Sequence, residues 1–268
     1  MDRASGTPPS GEPSFPEEPA RYLAELARRV EAVCGAGLVT VSAVGSVALG
    51  DYRPGRSDLD VLVVVDERVP GSRVRELPGE LRHPGLFCPA AGLELVVYSS
   101  EFAAVPSARA GYLLDLNTGS MLPERTSFDP AGSAAFWYVI DRSVAHQSGL
   151  RLLGRDPREV VAAPSRQDLL DAVAASLEEH AAGAGHLQDN RVLNACRSLT
   201  YLRTRRWVSK PAAAAAVLPS AGAFAPLVSA AVRSHAGPRR SAAELPAAEV
   251  RAFLNGVREQ VEGEQGER

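Results

Sequence analysis

Gly45-Ser46, followed by Ser57-Asp58-Leu59-Asp60, are the residues of this chain best placed to do chemistry. The two aspartates stand at i and i+2. Side chains on a strand alternate faces, so a strand over 58–65 points both carboxylates the same way. Two carboxylates side by side repel each other unless a cation lies between them. Hard divalent cations such as Mg²⁺ take oxygen ligands, commonly one or two carboxylates together with substrate phosphates. Gly45 allows a tight turn after the apolar run of Val39, Val41, Ala43 and Val44. Its backbone N–H groups and the Ser46 hydroxyl then face the carboxylates and, with Ser57 beside Asp58, offer a place to hold a triphosphate. A loop and an edge strand carrying two aspartates by coincidence is the competing reading. The joint occurrence of Gly-Ser, Ser-Asp-x-Asp and flanking apolar strands argues against it.

Three further residues join this group. Glu94 lies in an otherwise apolar run, Leu93, Leu95, Val96 and Val97, where a carboxylate is costly unless it is paired or holds a cation. It serves as a metal ligand or as general base on an attacking hydroxyl, unless it faces water from an edge strand. Arg197 lies on a segment over 190–205 whose apolar face is Val192, Ala195, Cys196, Leu199 and Leu202, with Asn190, Asn194, Arg197, Tyr201 and Arg205 on the other side. Lys210 follows just beyond it and is the only lysine of the chain. A compact ammonium binds phosphate differently from a guanidinium fork, so a functional lysine and a chance survivor both remain open on composition.

The elements that must position these residues follow from periodicity and punctuation. Residues 1–16 hold Pro8, Pro9, Pro13 and Pro16 and read as a disordered leader. Tyr22, Leu26, Val30 and Val33 mark a helix over 17–33, with Pro19 in its first turn. Strands are expected over 38–45, 58–65 and 93–98, with a short helix or turn at 46–50, a polar loop at 51–57 and a helix over 74–81. After about Phe128 strands are expected to give way to helices over 134–148, 166–182, 190–205, 223–234 and 247–260, separated by Pro and Gly. The expected organisation is a leader (1–16), an α/β domain with a small mixed sheet (17–128), an all-helical domain (129–262) and a frayed tail (263–268). The cluster Phe136-Trp137-Tyr138 reads as helix-core packing.

Composition narrows the function. The chain has 268 residues and a net charge of −3, so an extended nucleic-acid surface is not implied, and the arginines over 203–206 read as a solvated helix end. Three dispersed cysteines form no CxxC pair, and the histidines show no metal spacing. Free thiols and no signal-peptide pattern fit a reducing cytoplasm. No apolar run is long enough for a membrane helix.

Gly45-Ser46, Asp58-x-Asp60 and the strands around them resemble the signature of the polymerase β-like nucleotidyltransferase superfamily. The helical half, from Val192 through Arg197 and Tyr201 to Lys210 and the alanines after it, resembles the C-terminal domain of the streptomycin/spectinomycin adenylyltransferases, as 93–98 resembles their third catalytic strand. The resemblance covers roughly residues 35–260. It implies a polymerase β-like domain followed by a helical bundle, with Asp58, Asp60 and Glu94 around two Mg²⁺ ions, Glu94 as base, and Arg197 and Lys210 on ATP phosphates with Gly45, Ser46 and Ser57. The tryptophans that this family carries after the third strand and in the alanine-rich stretch after the lysine are absent here, where the chain has Leu113 to Gly119 and Ala212 to Ala216.

The expected activity is transfer of AMP from ATP to a hydroxyl of a small cationic acceptor, foremost an aminoglycoside or aminocyclitol, by a monomer that binds neither nucleic acid nor membrane. Asp115 would add to an acidic cleft suited to such an acceptor. Modification of a protein or RNA, as in toxin–antitoxin systems, is the alternative enzyme reading. A catalytically silent binding module is the non-enzymatic one.

Overall fold

The computed structural model describes residues 16–183 and 187–266. The leader expected at 1–16 lies, apart from Pro16, outside the described residues, as do 267 and 268. The chain opens with α1 (Glu17–Cys34), whose Tyr22, Leu23, Leu26, Ala27 and Val30 are buried along one stripe. Then come β1 (Leu38–Ala43), α2 (Gly45–Ala48), β2 (Leu59–Val65), α3 (Gly71–Val74), α4 (Leu77–Leu81), β3 (Leu93–Ser99), α5 (Ser100–Ala103), β4 (Leu114–Thr118) and β5 (Arg125–Ser127). The single helix expected over 74–81 is thus two short ones, because Pro78 suits a new first turn rather than a helix interior.

After α6 (Ala135–Ser148) the chain returns to the sheet as β6 (Leu150–Gly154), and α7 (Pro157–Val160) follows. The helical unit comprises α8 (Arg166–Ala182), α9 (Gln188–Thr204), α10 (Lys210–Val217), α11 (Ala225–His235) and α12 (Ala247–Gly266). The tail expected from 263 is therefore helical as far as Gly266. No helix among the described residues is long and apolar enough to cross a membrane.

The sheet is mixed, in the order β5-β4-β3-β2-β1-β6. Among the described residues only β2 and β3 pair in parallel, and their register sets Asp60 opposite Glu94. One face, with Leu59, Val61, Val63, Leu93, Leu95 and Val97, packs on α1, α3 and α4. The other parity carries Leu62, Val64 and Tyr98 into a second core with Tyr112, Tyr138, Ala145 and Val160. Asp60 and Glu94 share that second parity, so the sheet's far face ends in carboxylates where its apolar contacts stop.

Strands do not disappear after Phe128, contrary to the expectation from sequence. β6 pairs antiparallel with β1, Leu153 against Val41, and returns the chain to the sheet edge beyond position 150. Its five residues are half-buried or exposed and do not alternate, so they carry little strand signal. α6 belongs to both units: Phe136, Val139 and Val144 enter the helical core, while Tyr138 and Ala145 enter the core on the sheet. The boundary expected between 128 and 129 thus falls just before an element that the two units share.

The loop between α2 and β2 is clamped by the helical unit. Arg56 Nη2 meets Asp189 Oδ1 at 2.7 Å, with the two side chains 3% and 0% exposed. The Ser234 hydroxyl donates to the other oxygen of Asp189, and the Arg239 backbone N–H donates to the Gly55 carbonyl at 3.0 Å. Removing one partner of a buried ion pair strands the other charge. Arg56→Ala is expected to lower the unfolding free energy by about 3–5 kcal/mol in urea titrations; a loss below about 1 kcal/mol would mean that the pair does not hold the two units together.

Candidate active site

Between the carboxylate end of the sheet and the helical unit lies a cavity of about 550 Å³. Every site residue expected from sequence lines it: Gly45, Ser46, Ser57, Asp58, Asp60 and Glu94 from the sheet side, Arg197 and Lys210 from the helices. The Gly45 turn is fitted to Asp60. Gly45 has φ +54°, and a Cβ built there would lie 1.8 Å from Asp60 Oδ2, so only glycine allows this approach. The Val44 N–H donates to the Asp60 carbonyl at 2.9 Å, which fixes the turn against the strand. The Ser46 hydroxyl is buried with no hydrogen-bond partner. Ser57 closes the preceding loop, its hydroxyl accepting the Arg53 N–H at 3.1 Å, and Asp58 follows it immediately before β2, which starts at Leu59 rather than at 58.

The carboxylates raise one another's proton affinity. Burial, then the charges of Asp58 and Asp141, push Asp60 up to about 8. Burial, then Asp58, Asp60 and Asp141, hold Glu94 well above the usual carboxylate range. A cation brought to this cluster favours the ionised forms. Among the described residues no three acidic, histidine or cysteine side chains converge into a ready-made metal site. The donor set is instead two aspartates on one strand face and a glutamate in register beside the second. That fits Mg²⁺, which binds through few carboxylates and lets substrate phosphates complete its shell.

The cations face this cluster without pairing to it. Arg197 sits at the i+7 position from Asn190 on α9, and with Asn190 and Asn194 it lines the cavity, whereas Tyr201 and Arg205 of the same expected face do not. Tyr201 stacks on Trp207 with ring centroids 4.4 Å apart. Arg205 pairs with Glu264 at 3.2 Å. The Arg197 guanidinium carbon lies 5.5 Å from the Trp207 ring centroid, and its Nε is buried without a partner. Lys210 opens α10, a helix not expected from sequence. The Ser209 hydroxyl caps it by accepting the Ala212 N–H at 3.3 Å, and Pro211 occupies its first turn. Lys210 Nζ donates to Asn190 Oδ1 at 3.1 Å. Burial lowers the proton affinity of both Arg197 and Lys210.

Some cavity residues carried no signal in the sequence. Arg239, from the turn after α11, sets its Nη1 3.5 Å from Asp58 Oδ2. His235 Nε2 lies 3.6 Å from Asp51 Oδ2, an electrostatic contact longer than a hydrogen bond. Both depend on tertiary placement of α11 against the loop at 51–57, which local pattern does not encode. Trp137 and Tyr138 line the cavity as well, while Phe136 packs in the helical core, so the aromatic cluster does more than fill space. Asp115 does not supply free negative charge, contrary to the expectation from sequence: Arg125 pairs with it at 2.8 Å, and the Tyr138 hydroxyl donates to it at 2.5 Å.

Comparison with known proteins agrees with this architecture. Residues 24–85 match the nucleotidyltransferase domain family. Residues 159–260 match the C-terminal domain of aminoglycoside adenylyltransferases. No curated protein sequence matches the chain significantly. Among solved structures, the fold is similar to that of spectinomycin adenyltransferase AAD(9) from Enterococcus faecialis, determined with ATP and spectinomycin, at 18% identity and a TM-score of 0.66, covering 90% of this chain and 99% of that one. A nucleotidyltransferase domain on the sheet side and an aminoglycoside adenylyltransferase C-terminal domain closing the cavity together make the chain a nucleotidyltransferase.

Proposed function

We propose that the enzyme transfers AMP from ATP to a hydroxyl of a small, cationic aminocyclitol or aminoglycoside, with Mg²⁺ at Asp58 and Asp60. One observation carries the reading: opposite charges line a single cavity unpaired. Asp60, Glu94, Arg197 and Lys210 form no ion pair among the described residues, although all four face the same space. Such an arrangement is costly in the free protein and suits a ligand that is anionic at one end and cationic at the other. A nucleoside triphosphate beside an amino sugar has that character. The similar adenyltransferase of known structure, bound to ATP and spectinomycin, supports the same pair of substrates. An acceptor wall rich in carboxylates disfavours the phosphodiester backbone of RNA.

Each residue then has a task. Ser46, with a buried and unused hydroxyl, donates to a phosphate oxygen, and the Gly45 turn brings backbone close to it. Arg197 and Lys210 neutralise the departing pyrophosphate. Glu94 takes the proton from the acceptor hydroxyl, whose oxygen attacks the α-phosphorus in line with the leaving oxygen. Asp58 and Asp60 would hold Mg²⁺, which when bound offsets charge on the attacking and leaving oxygens. Glu94 stands in register beside Asp60, so it would also complete the metal's surroundings.

Three measurements test these assignments. Asp60→Asn is expected to keep the fold and lose turnover by roughly a hundredfold or more, since an amide is a poor Mg²⁺ ligand and one electrostatic contact is worth that much. Turnover within about tenfold of wild type would remove Asp60 from the metal site. Lys210→Ala is expected to weaken binding of a non-hydrolysable ATP analogue by about 1.5–3 kcal/mol in calorimetry; unchanged affinity with unchanged turnover would make Lys210 a bystander. Glu94→Gln is expected to bind analogue and acceptor nearly as wild type while its single-turnover rate drops about 10²–10⁴-fold. Loss of nucleotide–Mg²⁺ binding as well would make Glu94 chiefly a ligand, and a wild-type rate would end its catalytic role.

A further inference from the structure

The cavity is lined by Ser46, Arg197, Lys210 and Arg239, by the carboxylates at the end of the sheet, and by residues of α6 and β4. On β4, Asp115 is 2% exposed and already engaged by Arg125 and Tyr138. On α6 one carboxylate remains uncommitted. Asp141 stands one helical turn beyond Trp137 on α6, at i+4, so the two side chains share the cavity-facing side of the helix. Asp141 has neither an ion pair nor a side-chain hydrogen bond among the described residues. It is exposed on the cavity wall.

The neighbouring arginines do not satisfy it. Arg142, next in the chain, turns away into the sheet-side core, where it donates to the carbonyls of Ser107 at 2.7 Å and Arg109 at 3.0 Å. Its guanidinium carbon also lies 4.9 Å from the Phe102 ring centroid. Arg197 acts on Asp141 only through space and is stationed over Trp207. An accessible carboxylate with no partner in the chain, on the wall of a cavity of substrate size, is open to a cationic group of a ligand.

We propose that Asp141 is the carboxylate that binds an ammonium group of the acceptor, with Trp137 as the adjoining apolar wall, so that this pair selects amino-bearing acceptors and orients their hydroxyl toward Glu94. The assignment rests on the adenylyl-transfer reading above and adds to it the group that recognises the acceptor. Trp137 gives an aromatic surface beside the carboxylate, a combination that suits an alkylammonium through charge and ring quadrupole together. Asp141 and Glu94 line the same cavity of about 550 Å³, which places the ammonium site within a small molecule's length of the base.

The test is calorimetric titration of spectinomycin into protein saturated with a non-hydrolysable ATP analogue and Mg²⁺, for wild type, Asp141→Asn and Asp141→Glu. Asp141→Asn is expected to weaken spectinomycin on the order of ten- to a hundredfold, the worth of one charge-assisted hydrogen bond, while analogue affinity stays within about twofold. Asp141→Glu, which keeps the charge, is expected to recover most of the loss. Should Asp141→Asn fail to fold, as judged by thermal melting, Asp141→Ser carries the same comparison. If wild type binds spectinomycin and the neutral variants bind it equally well, the ammonium site is wrong and adenylyl transfer stands. An equal loss of analogue affinity would also overturn the site, because Asp141 would then serve the fold or the nucleotide. If wild type neither binds nor modifies any amino-bearing acceptor, the adenylyl-transfer reading itself fails and the site with it.

Discussion

The parallel pairing of β2 with β3 governs this enzyme. Its register places Asp60 directly beside Glu94, and the two-residue repeat of the strand places Asp58 on the same face. Three carboxylates forced together at a buried sheet end repel one another, and both Asp60 and Glu94 respond with raised proton affinity. Much of the surrounding structure follows from that juxtaposition. The turn before it must be glycine because Asp60 occupies the space of a side chain. The loop leading to Asp58 is held by Arg56, itself fixed by Asp189 of the helical unit. Arg197, Lys210 and Arg239 arrive from beyond the sheet, on α9, α10 and the turn after α11.

The separation of charge is as informative as the charge. Were Arg197 or Lys210 to touch Asp60 or Glu94, the free protein would gain stability and the cavity would close on itself. Trp207 and Asn190 prevent this by giving the two cations other neighbours. The helical unit therefore acts as a frame that keeps positive groups across a gap from negative ones, and the gap has the volume of a small substrate. Preorganised charge of this kind needs no rearrangement when the reaction develops charge of its own. The contact of Arg239 with Asp58 is the exception. It partly neutralises the acid pair, at a distance longer than a tight ion pair.

That these residues would meet in one cavity was largely legible in the sequence, and the reason is local. Asp58, Asp60 and Glu94 are defined by strand parity, Gly45 by a turn, and Arg197 by helical periodicity along α9; each is a short-range pattern. Lys210 stood out as the only lysine, but its helix did not, although Ser209 and Pro211 are an N-terminal signature in front of an alanine run. β6 was missed because an exposed strand of five residues has no burial alternation to detect. Asp115 shows the opposite failure. Its type was visible, but its pairing with Arg125 and Tyr138 is a tertiary fact that no local pattern carries. Where two units meet, as at Arg56 with Asp189 and α11 with the loop at 51–57, no single stretch of chain holds the information.

The central claim is that the unpaired acids and cations of the cavity join an AMP group to an acceptor hydroxyl. Mass spectrometry of spectinomycin after incubation with ATP, Mg²⁺ and the enzyme tests it most directly. The account requires an acceptor heavier by one adenylyl group, with an equal amount of pyrophosphate released and neither formed when Mg²⁺ is chelated. An acceptor carrying a single phosphate with ADP released, or ATP consumed without any acceptor adduct across a panel of amino-bearing sugars and cyclitols, would contradict it.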